Sequence, residues 1–160
     1  MSSKRSAMHR ITINSIGKKD DRCYACIYQD LIDNAKKYAT ISINNIFNKK
    51  INQAQDDAKR AKEIYSQVLE PYKIADGLNV ALDPRGKQMD SFAFATMLEN
   101  HPKVAFFIGG AYGFEERFVR SCDVAVSLSA LTMSHKIAKA VLLEQVFRAL
   151  AIIHKHPYHK

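Results

Sequence analysis

The stretch 104–135, VAFFIGGAYGFEERFVRSCDVAVSLSALTMSH, constrains the fold more than any other part of the chain. It reads as an apolar strand, a glycine loop, a short helix, a second apolar strand and a loop of small residues. Two strand ends, each followed by a loop, make a ligand crevice at the carboxyl edge of a sheet. A long apolar segment, 135–153, follows and runs into the tail HPYHK.

The rest of the chain supplies matching units. Ile11 and Ile13 alternate with Thr12 and Asn14, which predicts a strand over 10–16. Tyr24, Ile27, Tyr28, Leu31, Ala35 and Tyr38 form one stripe of a helix over 23–38. A second strand is expected over 40–47. A long helix near 51–69 follows, carrying a helical Asp56–Arg60 charge pair and ending at Pro71. NVALD (79–83) is a short strand broken by Pro84, Arg85 and Gly86, and Ser91 is placed to cap a helix over 92–100. Strands over 104–108 and 124–128 and a helix over 136–153 complete the set. Strands alternating with helices predict an α/β fold, a mostly parallel sheet with helices on both faces. The last helix has an apolar arc too broad for one sheet face, which suggests a partner subunit.

The bulk numbers bound the function. The 160 residues suit one domain over 8–160, with a flexible N-terminal extension over 1–7. No window has the apolar length to span a bilayer, and MSSKRSAMHR lacks the apolar core of a signal peptide, so a cytosolic protein without membrane contact is expected. The net charge of +8 favours a polyanionic partner, although many small proteins are simply basic. Cys23 and Cys26 form a C-x-x-C with no second pair to complete a zinc site. They are expected to be small, buried, reduced thiols.

Three loops can carry chemistry. Gly109, Gly110 and Gly113 do not make G-x-G-x-x-G, and no Lys-Ser/Thr pair follows. Glu115 and Glu116 at the next helix start would repel a phosphate, so the glycines serve close approach or a tight turn. The loop 127–133 is small and uncharged, which suits a flat ring such as adenine or an ordinary connection capped by Ser134 or Thr132. After NVALD, Asp83 holds a polar ligand group or caps a turn, and Arg85 and Lys87 meet an RNA backbone or water. The tail carries His154, His156, Tyr158, His159 and Lys160. Its spacing, without partnering acids, argues against a metal. Lys139 projects from the apolar arc of the last helix, where a cation snorkels or faces a site.

Taken together, LDPRGK, FFIGGAYG, SLSALTMSH, LLEQVFRA and HPYHK resemble the RlmH family of SPOUT-type methyltransferases of large ribosomal RNA. The resemblance runs from about Met8 to the end, with the motifs in the expected order. It implies an α/β fold with a C-terminal trefoil knot, which topology rules alone would reject. It also implies an obligate homodimer and S-adenosylmethionine as methyl donor. The acceptor it implies is N3 of a pseudouridine in a stem-loop of large-subunit rRNA, in the assembled ribosome. Carried over by motif, the cofactor residues are Leu82, Gly109, Leu128, Ser129, Ala130, Leu131, Thr132 and Met133. The catalytic and RNA-facing residues are Arg148, Tyr158, His159 and Lys160. Two departures stand out. Met133-Ser134-His135 lacks the proline that commonly precedes the histidine. Lys139 and Lys160 stand where some members have arginine, which removes a forked phosphate contact there. His159 or Tyr158 is the expected base for the N3 proton, with Lys160 or Arg148 stabilising the imide anion. Competing readings are a SPOUT enzyme acting on another RNA such as tRNA, a non-catalytic ribosome-binding factor, and an oxidoreductase using Cys23 and Cys26.

Overall fold

A computed structural model describes residues 8–160, so the extension over 1–7 lies outside the described residues. Five strands form one parallel sheet in the order β2-β1-β4-β3-β5. They are β1 (His9–Ile16), β2 (Ala39–Ile46), β3 (Leu78–Gln88), β4 (Lys103–Ile108) and β5 (Val124–Ser127). The helices are α1 (Arg22–Ala35), α2 (Lys49–Gln53), α3 (Ala58–Leu69), α4 (Ser91–Glu99), α5 (Glu116–Ser121) and α6 (His135–Ile153).

The pleat of β4 explains the two layers. Val104, Phe106 and Ile108 point into a core with residues of α1, α4 and α6, such as Tyr28, Leu98, Leu142 and Leu150. Ala105 and Phe107 point the other way, toward Ile51, Ile64, Leu69 and Phe118 of α2, α3 and α5. Helices therefore cover both faces, as a near-continuous apolar strand requires.

The expected long helix over 51–69 is two helices. Asp57 turns its carboxylate onto the Arg60 N–H at 3.1 Å and starts α3 there, so Asp56 lies before the helix and forms no helical pair with Arg60. The first helix likewise ends at Ala35, short of Tyr38. Asp90, rather than Ser91, caps α4, accepting from the Ala93 N–H at 2.8 Å, while the Ser91 hydroxyl donates to Gln145 at 2.8 Å. Ser134 caps α6 through the Ile137 N–H at 3.3 Å. The breadth of the apolar arc of α6 is met within the chain, because α1 and α4 both pack on it beside the sheet. Arc width alone therefore calls for no partner. Cys23 and Cys26 are exposed rather than buried, on the solvent side of α1. Cys122 alone is buried, and burial pushes its thiol up to about 11.

β3 runs well past its expected end at Asp83. Val126 of β5 has both Leu82 and Lys87 as parallel partners. The register of β3 against β5 therefore shifts between these residues, as where extra residues are inserted in one strand of a pair. Gly86 sits in the shifted stretch. A Cβ there would lie 2.7 Å from the Ala125 carbonyl carbon, so only glycine fits.

Candidate active site

At the carboxyl ends of β3, β4 and β5, three chain reversals surround a cavity of about 630 Å³. The first reversal contributes Leu82, Asp83, Pro84 and Arg85, and the second contributes Ile108 to Phe114. The third contributes Leu128, Ser129 and Leu131 to His135, with Ala138 of α6 and Lys62 of α3 closing the wall. Seven of the eight residues expected at the cofactor are on this wall; Ala130 is the one that is not.

Local chemistry shapes each reversal. Gly110 passes so close to the Tyr65 ring that a Cβ would meet it at 2.5 Å, and Gly113 takes φ +75° to close the turn. The loop after β5 is held from within: the Ser127 hydroxyl donates to the Ser129 carbonyl at 2.9 Å, and the Ser129 hydroxyl accepts from the Leu131 N–H at 3.0 Å. Leu131 stays 77% exposed, an apolar side chain at the mouth. Asp83 is buried and spent on Arg85, accepting from its backbone N–H at 2.8 Å and from its guanidinium at 3.1 Å. Burial would raise this carboxyl, but Arg85 outweighs it and holds it below the usual range. Glu115 is not on the wall; it accepts a hydrogen bond from Ser66 on the α3 side. The cavity thus keeps a largely uncharged lining. His135, which sequence reasoning passed over, lines it from the first turn of α6. Burial, then Lys139 and Lys136, depress its imidazole below the ordinary value and keep it neutral.

The tail folds onto the far end of α6. Arg148 pairs with Glu144 at 2.6 Å and donates to His159 Nδ1 at 3.1 Å. Its guanidinium also lies 4.7 Å over the Tyr158 ring. The Tyr158 hydroxyl donates to Glu144 at 2.9 Å, and the His159 ring meets Phe92 edge-on at 4.8 Å. Glu144 organises this cluster and was missed in the sequence; its i,i+4 spacing to Arg148 in LLEQVFRA was the available signal. Burial would raise the Glu144 carboxyl, but Arg148 and Tyr158 hold it low. The Tyr158 phenol is raised, first by its bond to Glu144 and then by burial, so it stays protonated. Because arginine only donates, His159 Nδ1 is an acceptor already in use. Lys160 is exposed at the terminus.

Arg148, Tyr158, His159 and Lys160 therefore form one end of the molecule, and none lines the cavity. Along α6, Ala138 on the wall and Arg148 in the cluster are ten residues apart, about 15 Å of helix. Within one chain the basic tail is thus not part of the wall that the loops form. Lys139 faces neither RNA nor solvent: it is 1% exposed and ion-paired with Asp20. Among the described residues no group of histidines, cysteines and acids is placed to hold a metal ion, and no helix is long and apolar enough to cross a membrane.

The fold and site define a parallel α/β protein with a ligand crevice at the carboxyl edge of its sheet and a detached cationic cluster. Residues 9–159 match the family described as "Predicted SPOUT methyltransferase". The chain is 65% identical to the ribosomal RNA large subunit methyltransferase H of a Nitratiruptor species, over 96% of this chain and 100% of that one. It is 45% identical to a protein of that name from Helicobacter pylori, over 96% and 100% of the two chains. For the Aliarcobacter butzleri protein the identity is 44%, over 94% and 99%. The chain belongs to the RlmH family of SPOUT methyltransferases.

Proposed function

We propose that this chain transfers a methyl group from S-adenosylmethionine to N3 of a pseudouridine in a stem-loop of large-subunit rRNA, within the assembled ribosome. The observation that carries the reading is the cavity itself. Its volume suits a nucleoside-sized ligand, and seven of the eight residues expected at the donor stand on its wall. Leu128, Leu131 and Met133 would cover the adenine, and the backbone of the third reversal would bond its edge. Lys62, for which no ion pair is found among the described residues, would meet the carboxylate. The bound donor supplies an electrophilic methyl on a sulfonium, so the protein's task is in-line placement and control of one proton.

The tail cluster supplies the rest. Arg148, held by Glu144, stabilises the imide anion of the acceptor, and the Tyr158 hydroxyl, donating to Glu144, helps hold that pair in place. With the Tyr158 O–H engaged and His159 Nδ1 occupied, the N3 proton leaves to solvent water, and electrostatic stabilisation of the ionised acceptor is favoured over a dedicated base. Because the cluster stands off its own chain's cavity wall, a homodimer in which one chain's tail meets its partner's cavity is favoured. The double pairing of Val126 with Leu82 and Lys87, and the close pass of Gly86 over the β5 backbone, support a C-terminal trefoil knot. The net charge of +8 supports binding to rRNA through phosphates, with Lys160 at the RNA edge, and a cytoplasmic location follows from that partner. Mass spectrometry of rRNA from cells lacking the protein tests the reading: one pseudouridine should lose one methyl group. An unchanged rRNA, or a tRNA that loses the methyl instead, would overturn the assigned substrate.

A further inference from the structure

Lys139 is buried where a buried cation needs a reason. Its Nζ donates to Asp20 and, at 2.8 Å, to Asn45 Oδ1. Asn45 Nδ2 in turn donates to Asp20 Oδ2 at 2.9 Å, which closes a triangle. The ammonium lies 5.1 Å from the Tyr28 ring centroid, and the Tyr28 hydroxyl donates to the Lys136 carbonyl at 2.7 Å. Three segments distant in sequence meet at this atom: the turn after β1, the end of β2 and the second turn of α6. Burying such a pair costs desolvation, and an apolar pair of similar volume would hold the same segments at equal or lower cost. What an ion pair adds is a defined position.

That position matters to the cavity. His135 lies one turn before Lys139 on the same face of α6 and forms part of the cavity wall. The turn after β1 rests on its imidazole: Gly17 has φ +154°, and a Cβ there would come within 3.3 Å of His135 Nε2. We infer that the Lys139–Asp20 pair, with Asn45, positions the donor cavity by clamping the turn after β1 and the end of β2 against the start of α6, which sets where His135 stands one turn earlier. Lys139 is thus a positioning residue, not a catalytic one. The inference rests on the reading of the cavity as the donor site.

The test is calorimetric affinity for S-adenosylmethionine in the purified full chain, beside thermal melts and steady-state kinetics on ribosomes. The double variant Asp20→Leu/Lys139→Met removes both charges and is expected to melt cooperatively. It should bind the donor about tenfold more weakly, with the loss in KM rather than kcat, while Lys139→Arg stays within about threefold of wild type. A folded double variant with wild-type affinity overturns the inference, because a merely structural pair would give that result. If the double variant does not fold, Asn45→Leu decides. It leaves the ion pair and removes the third partner, so several-fold weaker binding supports the inference and unchanged binding overturns it. Wild-type protein without any binding heat would remove the donor-site reading, and this inference with it.

Discussion

At the residue scale, Arg148 and Asp83 show how the same pairing serves two purposes. Arg148 is presented by Glu144 with its guanidinium toward Tyr158 and His159, so Arg148→Ala should lower single-turnover methylation about 10²–10³-fold. Donor affinity measured by calorimetry should stay unchanged, because Arg148 is not on the cavity wall. The double variant Tyr158→Phe/His159→Ala separates base from orienting roles: a residual rate far above that of Arg148→Ala would place electrostatics ahead of proton abstraction. The docked tail should also have a two-sided pH window. The Glu144 carboxyl is lowered in the fold, so its contribution is full above the ordinary carboxylate value and is lost as pH falls through the lowered one. The Tyr158 phenol is raised, so its contribution is full below the ordinary phenol value and is lost as pH rises through the raised one. Normalised hydrogen-exchange protection of the Tyr158 amide should therefore be flat near neutrality and fall on both sides.

At the element scale, close approach and capping decide the loops. Asp57→Ala should cost about 1 kcal/mol in urea unfolding, the usual value of a lost N-cap. Gly110→Ala forces a methyl group into the buried Tyr65 ring, at a cost of about 1–3 kcal/mol, and should weaken donor binding because the glycine lines the cavity. Gly86→Ala is the more severe change. Its methyl would meet the β5 backbone rather than a side-chain tip, so the expected outcome is loss of soluble folded protein. Cooperative unfolding of a well-expressed Gly86→Ala would show that β3 does not approach the β5 backbone as closely as the geometry requires.

At the scale of the whole molecule, the cavity lies at the start of α6 and the cationic cluster toward its other end, and the proposed reaction requires that they meet across a dimer. Mixed dimers test this directly. A chain carrying Arg148→Ala, with an intact cavity, should regain activity when paired with a chain carrying Gly110→Ala and an intact tail. Two inactive homodimers that give an inactive mixture would place both halves of the site in one chain. Association with ribosomes should weaken steeply with salt, as phosphate-led binding does.

The amino-acid sequence determined the α/β alternation, the parallel sheet and the three reversals at its carboxyl edge. Those features are written in local periodicity, in glycines and in runs of apolar residues, which act within a few positions of themselves. It also marked the tail and Arg148 through motif resemblance. Only the tertiary structure decided the rest. Whether Lys139 snorkels or pairs depends on Asp20, 119 residues away in the chain. The end of β3 depends on its pairing with β5, and the cover on α6 comes from helices α1 and α4. The distance between cavity and tail is set by a helix whose length was legible but whose two ends carry different chemistry. Contacts between segments far apart in sequence leave no periodic trace, so they are readable only once the chain has folded.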